Sequence, residues 1–170
     1  KGAHFVSSSY ISPEMRALDT QAKSAGLALV NEVGLDPGID HLMAHYLVEN
    51  YRASAACNTA NDLSFISYCG GIPKIPNPFR YKFSWSPLGV LRALKTPARW
   101  IENGAEATTE KPWQALSSHT VNLLGGEETF QAYPNRDSIP FTEPYGFSPE
   151  FNLQAFVRGT LRLDGWAEAW

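Results

Sequence analysis

The run from residue 27 to residue 51 constrains the fold most. An apolar segment, 27–30, leads into Asn31-Glu32-Val33-Gly34-Leu35-Asp36-Pro37-Gly38, and a helical pattern, 39–51, leaves it. The order is strand, tight loop, helix. Asp36 directly before Pro37 reads as an N-cap followed by a first helical residue. Gly34 and Gly38 let the backbone bend or approach a ligand closely. A loop at the carboxyl end of a strand, opening onto a helix N-terminus, is where α/β sheets bind ligands. A plain capped connection has the same local pattern.

The preceding residues supply the partner of that strand. Residues 3–8 read as a strand, with His4-Phe5-Val6 buried. Ser12-Pro13-Glu14 is a helix start. Met15, Leu18, Ala22 and Ala25 continue one helix, and Gly26 ends it. With 27–32 as the second strand this is a parallel β-α-β unit. In the helix that follows, Leu42, Met43, Tyr46 and Leu47 share one face. Residues 62–69 alternate as a strand, 72–79 form a proline-rich loop, and 81–85 are a strand or a packed aromatic loop. Ser86-Pro87 opens another helix. Residues 100–104 run from a strand into a turn, and 104–130 hold short strands or a helical turn. Residues 133–138 form a loop. Residues 156–163 read as a strand, with Asp164-Gly165 as a hairpin turn. Parallel units followed by hairpin strands predict a mixed sheet, hence an α/β (mixed α+β) fold.

Composition narrows the partners. Hydrophobic residues make up 44% and charged residues 18%, so the chain is globular rather than disordered. The net charge of −3 and the lack of a basic cluster argue against nucleic acid or an anionic membrane as partner. No apolar run is long enough to span a bilayer. Cys57 and Cys69 are far apart and suggest neither a disulfide framework nor a metal site, in keeping with a cytoplasmic protein. The chain lacks an initiator Met and stops at Trp170 after a strand-like run, so a piece of a longer protein is expected.

Four groups of residues carry candidate chemistry. His41 and His45 share a helix face near Asp36 and Asp40, but no third ligand is evident, and no metal is expected. Cys69 ends a strand before two glycines; it either lines a ligand site or fills the strand end. Arg136, in Pro-Asn-Arg-Asp, suits capture of a carboxylate, unless it pairs with Asp137 or another acid. Arg158, Thr160 and Arg162 share one strand face, which either binds an anion or is solvated. Nothing in the residues alone names a base, a nucleophile or a phosphate loop. They point to a small-anion site at strand ends.

Several stretches, in order along nearly the whole chain, resemble the glutamate-forming saccharopine dehydrogenases of lysine metabolism. They are Ser9-Tyr10-Ile11-Ser12-Pro13-Glu14-Met15, Glu32 through His41, Ser67-Tyr68-Cys69-Gly70-Gly71-Ile72-Pro73 and Asn77-Pro78, then Tyr81 through Leu91, Tyr133 through Ser138, and Arg158-Gly159-Thr160-Leu161-Arg162. The match is weaker over 104–130 and 139–155. The resemblance implies that residues 1–35 are the last part of a Rossmann-like NAD(P)-binding domain. Residues 36–170 would be part of the saccharopine-binding and dimerisation domain, incomplete here. The Gly-rich dinucleotide fingerprint is not in this sequence. The implied cofactor is NAD or NADP, and the implied reaction interconverts saccharopine with glutamate and 2-aminoadipate semialdehyde. Ser8, Ser9, Leu35, Asp36, Pro37 and Gly38 would line the nicotinamide side. Ser9, Tyr10, Asp36, Cys69, Arg136, Thr160, Leu161 and Arg162 would touch substrate, with Asp36 orienting its amine. The remainder of the enzyme and a second copy would be the partners, and the isolated chain would be inactive. Two other readings compete: a binding-only substrate domain, and a dehydrogenase of another carboxylated secondary amine.

Overall fold

A computed structural model describes residues 2–123 and 125–170. Lys1, the first residue of the expected dinucleotide-domain stretch, and Leu124, inside the 104–130 stretch, lie outside the described residues. The fold is mixed α/β and divides into two compact units, Lys1–Ser54 and Ala55–Trp170.

In the first unit, β1 (Phe5–Val6) pairs in parallel with β2 (Leu29–Val30), joined by two short helices. The expected β-α-β order is present, with differences. Phe5 and Val6 are exposed rather than buried, because a ladder of two residues per strand covers little. The expected single helix is two, α1 (Pro13–Ala17) and α2 (Asp19–Ser24), broken at Leu18. Asp19 and Thr20 favour a fresh first turn over a helix interior. Ser12 caps α1 through its hydroxyl and Pro13 is its first residue, as the sequence predicts.

Helix α3 (Ile39–Ala53) begins differently from expectation. Asp36 is not its cap, because the Tyr10 hydroxyl donates to Asp36 Oδ1 at 2.8 Å. The loop instead curls on itself. Gly34 N donates to the Pro37 carbonyl at 3.0 Å, and Ile39 N donates to the Gly34 carbonyl at 2.9 Å. Gly38 stands at the cap position with φ 148°, and its N–H donates to Asp40 Oδ1 at 2.7 Å. A Cβ there would run into the Gly34 and Glu32 carbonyls, so only glycine fits. On α3 the buried residues are Ala44 and Val48, while Leu42, Met43, Tyr46 and Leu47 are exposed.

The second unit is built on one mixed sheet. Its strands are β3 (Asp62–Cys69), β4 (Ala98–Glu102), β5 (Ala105–Thr109), β6 (Ser117–Leu123), β7 (Gly126–Pro134) and β8 (Asn152–Leu163). The order is β5-β4-β8-β7-β6, with β3 parallel to β8 and the other pairings antiparallel. Helix α4 (Pro87–Ala93) is capped by the Ser86 hydroxyl, as read from Ser-Pro. Residues 81–85 form a loop, with Tyr81 buried.

Strand β8 is the organising element. Phe156 is fully buried and stacks on Phe65 of β3 at 5.0 Å, with Tyr145 and Phe147 around it. A second core, nearer the end of β8, gathers Tyr81, Val90, Tyr133 and Trp166. Asp164-Gly165 does turn the chain, with Gly165 at φ 77°, but no hairpin strand follows. Helix α5 (Trp166–Ala169) follows instead, because Trp166 drops into that core and Ala167 N donates to Gln131 Oε1 at 2.8 Å.

Candidate functional site

In the first unit the two loops at the carboxyl ends of β1 and β2 are sewn together. Glu32 N donates to the Ser9 carbonyl at 3.1 Å, Val33 N to the Ser7 carbonyl at 3.1 Å, and Ile11 N to Glu32 Oε1 at 3.1 Å. Gly34 lies against Ser8, where an added Cβ would sit 3.1 Å from the serine Cβ. These bonds bring Ser8, Ser9, Tyr10 and residues 35–38 into one cluster, with the Asp36 carboxylate tied to the Tyr10 phenol. His41 is beside it, its Nε2 3.4 Å from Glu32 Oε2 and its Nδ1 3.7 Å from Asp40 Oδ2. Among the described residues there is no group of three or more His, Cys, Asp and Glu suited to a metal ion.

In the second unit, strand register decides which side chains share a face. Cys69 is opposite Thr160 and Ser67 is opposite Arg158 on the parallel pair, while Tyr133 is opposite Thr160 and Gln131 opposite Arg162 on the antiparallel pair. Thr160 and Arg162 therefore lie on one face with Cys69 and Tyr133, and Leu161 points to the other face. This face is not solvated: Arg158, Thr160 and Arg162 are only 9%, 9% and 7% exposed. Leu161 turns its backbone to the same neighbourhood, its carbonyl close against Gly70.

The two buried arginines have different surroundings. Arg158 stacks on Phe141 at 4.0 Å. Arg162 lies in an aromatic box, its guanidinium carbon 4.9 Å from the Tyr81 ring, 5.4 Å from Tyr133 and 5.5 Å from Trp166. Its Nη1 donates to the Leu161 carbonyl at 3.2 Å, and among the described residues no carboxylate is within ion-pair distance of it. Arg162 Nε, Tyr81 Oη and Trp166 Nε1 are buried and find no hydrogen-bond partner among the described residues. Burial raises the Tyr133 hydroxyl above the ordinary tyrosine value, against the opposing pull of Arg162. A buried cation with orphaned donors beside it is a receptor for an anion.

Arg136 is at the turn that follows β7 and is exposed, with φ 57°. Both Asp137 carboxylate oxygens are held by Arg99, which donates from Nε at 3.1 Å and from Nη2 at 2.9 Å. Arg99, distant along the chain from Arg136, and the aromatic box around Arg162 are not legible in the sequence. Tyr133, expected in a loop over 133–138, instead lies near the end of β7 (Gly126–Pro134). Ser8, Ser9, Tyr10 and 35–38 gather in the first unit; Cys69, Thr160, Leu161 and Arg162 gather in the second.

Residues 34–170 match the family model of the saccharopine dehydrogenase C-terminal domain. The saccharopine dehydrogenase [NADP(+), L-glutamate-forming] of Pyricularia oryzae is 42% identical over 168 residues, covering 97% of this chain and 36% of the relative. The mitochondrial alpha-aminoadipic semialdehyde synthase of Mus musculus is 38% identical over 169 residues, covering 98% of this chain and 18% of the relative. Among solved structures, apo saccharopine dehydrogenase (L-Glu forming) from Saccharomyces cerevisiae superposes with a TM-score of 0.77 at 40% identity, covering 96% of this chain and 36% of that one. The chain spans about a third of the length of the fungal relatives it matches. It is a member of the saccharopine dehydrogenase C-terminal domain family.

Proposed function

We propose that this chain belongs to a longer NAD(P)-dependent, glutamate-forming saccharopine dehydrogenase. In this reading residues 1–35 close the dinucleotide-binding domain and 36–170 supply part of the substrate domain. The observation that carries the reading is the buried guanidinium of Arg162 beside Thr160, with no carboxylate in ion-pair distance among the described residues. A ligand rich in carboxylates compensates such a cation, and saccharopine has three. Leu161 and Cys69 would flank it, and Arg136 would take a second carboxylate through its planar fork.

In the first unit the Asp36 carboxylate, oriented by Tyr10, suits a secondary ammonium. It would hold the cation and direct the hydrogen on carbon away from itself. The Ser8–Gly34 contact and the sewn loops at the ends of parallel strands fit the flat edge of a nicotinamide, with Ser8, Ser9 and residues 35–38 along it. The bound NAD or NADP supplies or takes the hydride; the names of the fungal relatives favour NADP. Loss of hydride from the substrate carbon and of one proton from its ammonium nitrogen leaves a protonated imine. Water then splits the imine into glutamate and 2-aminoadipate 6-semialdehyde, and the reverse steps form saccharopine. The chain's own residues act by position and charge complementarity. The same reading makes the whole enzyme a homodimer of the cytoplasm.

The test is saccharopine-dependent reduction of nicotinamide, followed by absorbance, on the full-length protein and on this chain alone. Activity is expected in the first and none in the second. A full-length protein that binds saccharopine without reducing the cofactor would make this a binding-only module. Turnover of a different carboxylated secondary amine in place of saccharopine would reassign the substrate.

A further inference from the structure

Arg136 occupies a backbone conformation that non-glycine residues rarely adopt, and the surrounding structure over-determines it. Asn135 N donates to the Arg158 carbonyl at 2.9 Å on one side. On the other, Ser138 is fully buried, its hydroxyl accepting from Arg158 N at 2.9 Å. Between these anchors a single residue, Arg99 of β4, grips the turn three ways. Its N–H donates to the Arg136 carbonyl at 2.9 Å, its carbonyl accepts from Ser138 N at 2.8 Å, and its guanidinium forks onto Asp137. Asp137 Oδ1 also accepts from Ile139 N at 3.0 Å, closing the turn.

We propose that Arg99 and Asp137 are positioning residues that fix the guanidinium of Arg136 for a substrate carboxylate. The proposal rests on the assignment of Arg136 to substrate. Strained backbone held by several independent bonds marks a place where direction matters more than local stability. The Arg99–Asp137 pair is about 40% exposed, so it adds little to global stability. Its two parallel bonds nevertheless restrict the turn in a way that one lysine contact would not. Glu106, 3.2 Å from Arg99 Nη1, steadies the other end of the fork.

The experiment is steady-state kinetics of the full-length enzyme with saccharopine, on Arg99→Ala, Arg99→Lys, Asp137→Asn and Arg136→Ala, and on the double variant Arg99→Ala/Arg136→Ala. Loss of the clamp should raise KM for saccharopine by about tenfold, since misplacing a binding group has effects of that order. It should leave kcat within about twofold, and KM for the cofactor unmoved. Arg99→Lys should recover part of the loss. The decisive comparison is the double variant: with Arg136 already gone, removing Arg99 should change KM no further. A full, additive effect of Arg99→Ala in the Arg136→Ala background would overturn the proposal, because Arg99 would then act through the fold. A normal KM in Arg99→Ala and Asp137→Asn, with Arg136→Ala impaired, would overturn the clamp alone. A normal KM in Arg136→Ala would overturn the substrate assignment and the clamp with it.

Discussion

At the scale of single residues, two energies compete at Arg136. The left-handed backbone costs a side-chain-bearing residue about 1–2 kcal/mol. Glycine avoids that cost but adds about 0.4–1 kcal/mol of chain entropy to the unfolded state. Arg136→Gly should therefore melt above Arg136→Ala, by a few tenths to about 1 kcal/mol, while both lack the guanidinium. Arg136→Gly less stable than Arg136→Ala by about 0.4–1 kcal/mol, the entropy cost alone, would mean that the φ of 57° carries no strain. Tyr133 and Tyr68 make a second prediction. Burial raises both hydroxyls above the ordinary tyrosine value near 10. Above that value the unfolded chain loses these protons before the folded chain does, so stability is full below pH 10 and falls as pH rises beyond it. Denaturant titrations should show this decline, and Tyr133→Phe should flatten it. A stability that holds level above pH 10 in the parent would contradict the burial account.

At the scale of elements, Gly159 shows how tightly β8 is packed. A Cβ there would lie 2.5 Å from the Tyr68 ring and 2.7 Å from the Tyr133 carbonyl. Gly159→Ala should cost on the order of 1–3 kcal/mol in a urea melt, the range for overpacking. Ser12→Ala, which removes the cap of α1, should cost about 1 kcal/mol and leave β8 unaffected. Such local chemistry is what the sequence makes legible. Ser-Pro at 12–13 and 86–87 marked both helix starts, alternation marked β3, and the strand read over 156–163 is the later part of β8. Asp36-Pro37 had the same local signal and a different outcome, because a phenol 26 residues away took the carboxylate. Asp164-Gly165 misled for a similar reason, since the burial of Trp166 decided what followed the turn. The face of Arg158, Thr160 and Arg162 was readable as shared by period two. Its burial was not, because Phe141, Tyr81 and Trp166 come from remote segments.

At the scale of the whole molecule, the second unit has its own six-stranded sheet and its own cores. Residues 55–170 expressed alone should therefore retain strand content and a cooperative melt, seen by circular dichroism. The residues alone yield an anion site, and saccharopine as its ligand is the proposal that the family match supports. The central claim is that Arg136 and Arg162 receive carboxylates of that amino acid. Calorimetric titration of saccharopine into the full-length protein, with Arg136→Ala in parallel, tests it most directly. Binding by the parent and a loss of roughly 2 kcal/mol or more in the variant are expected, as for a charged hydrogen bond left unmade. Equal affinity in parent and variant, or no binding by a folded parent, would contradict it.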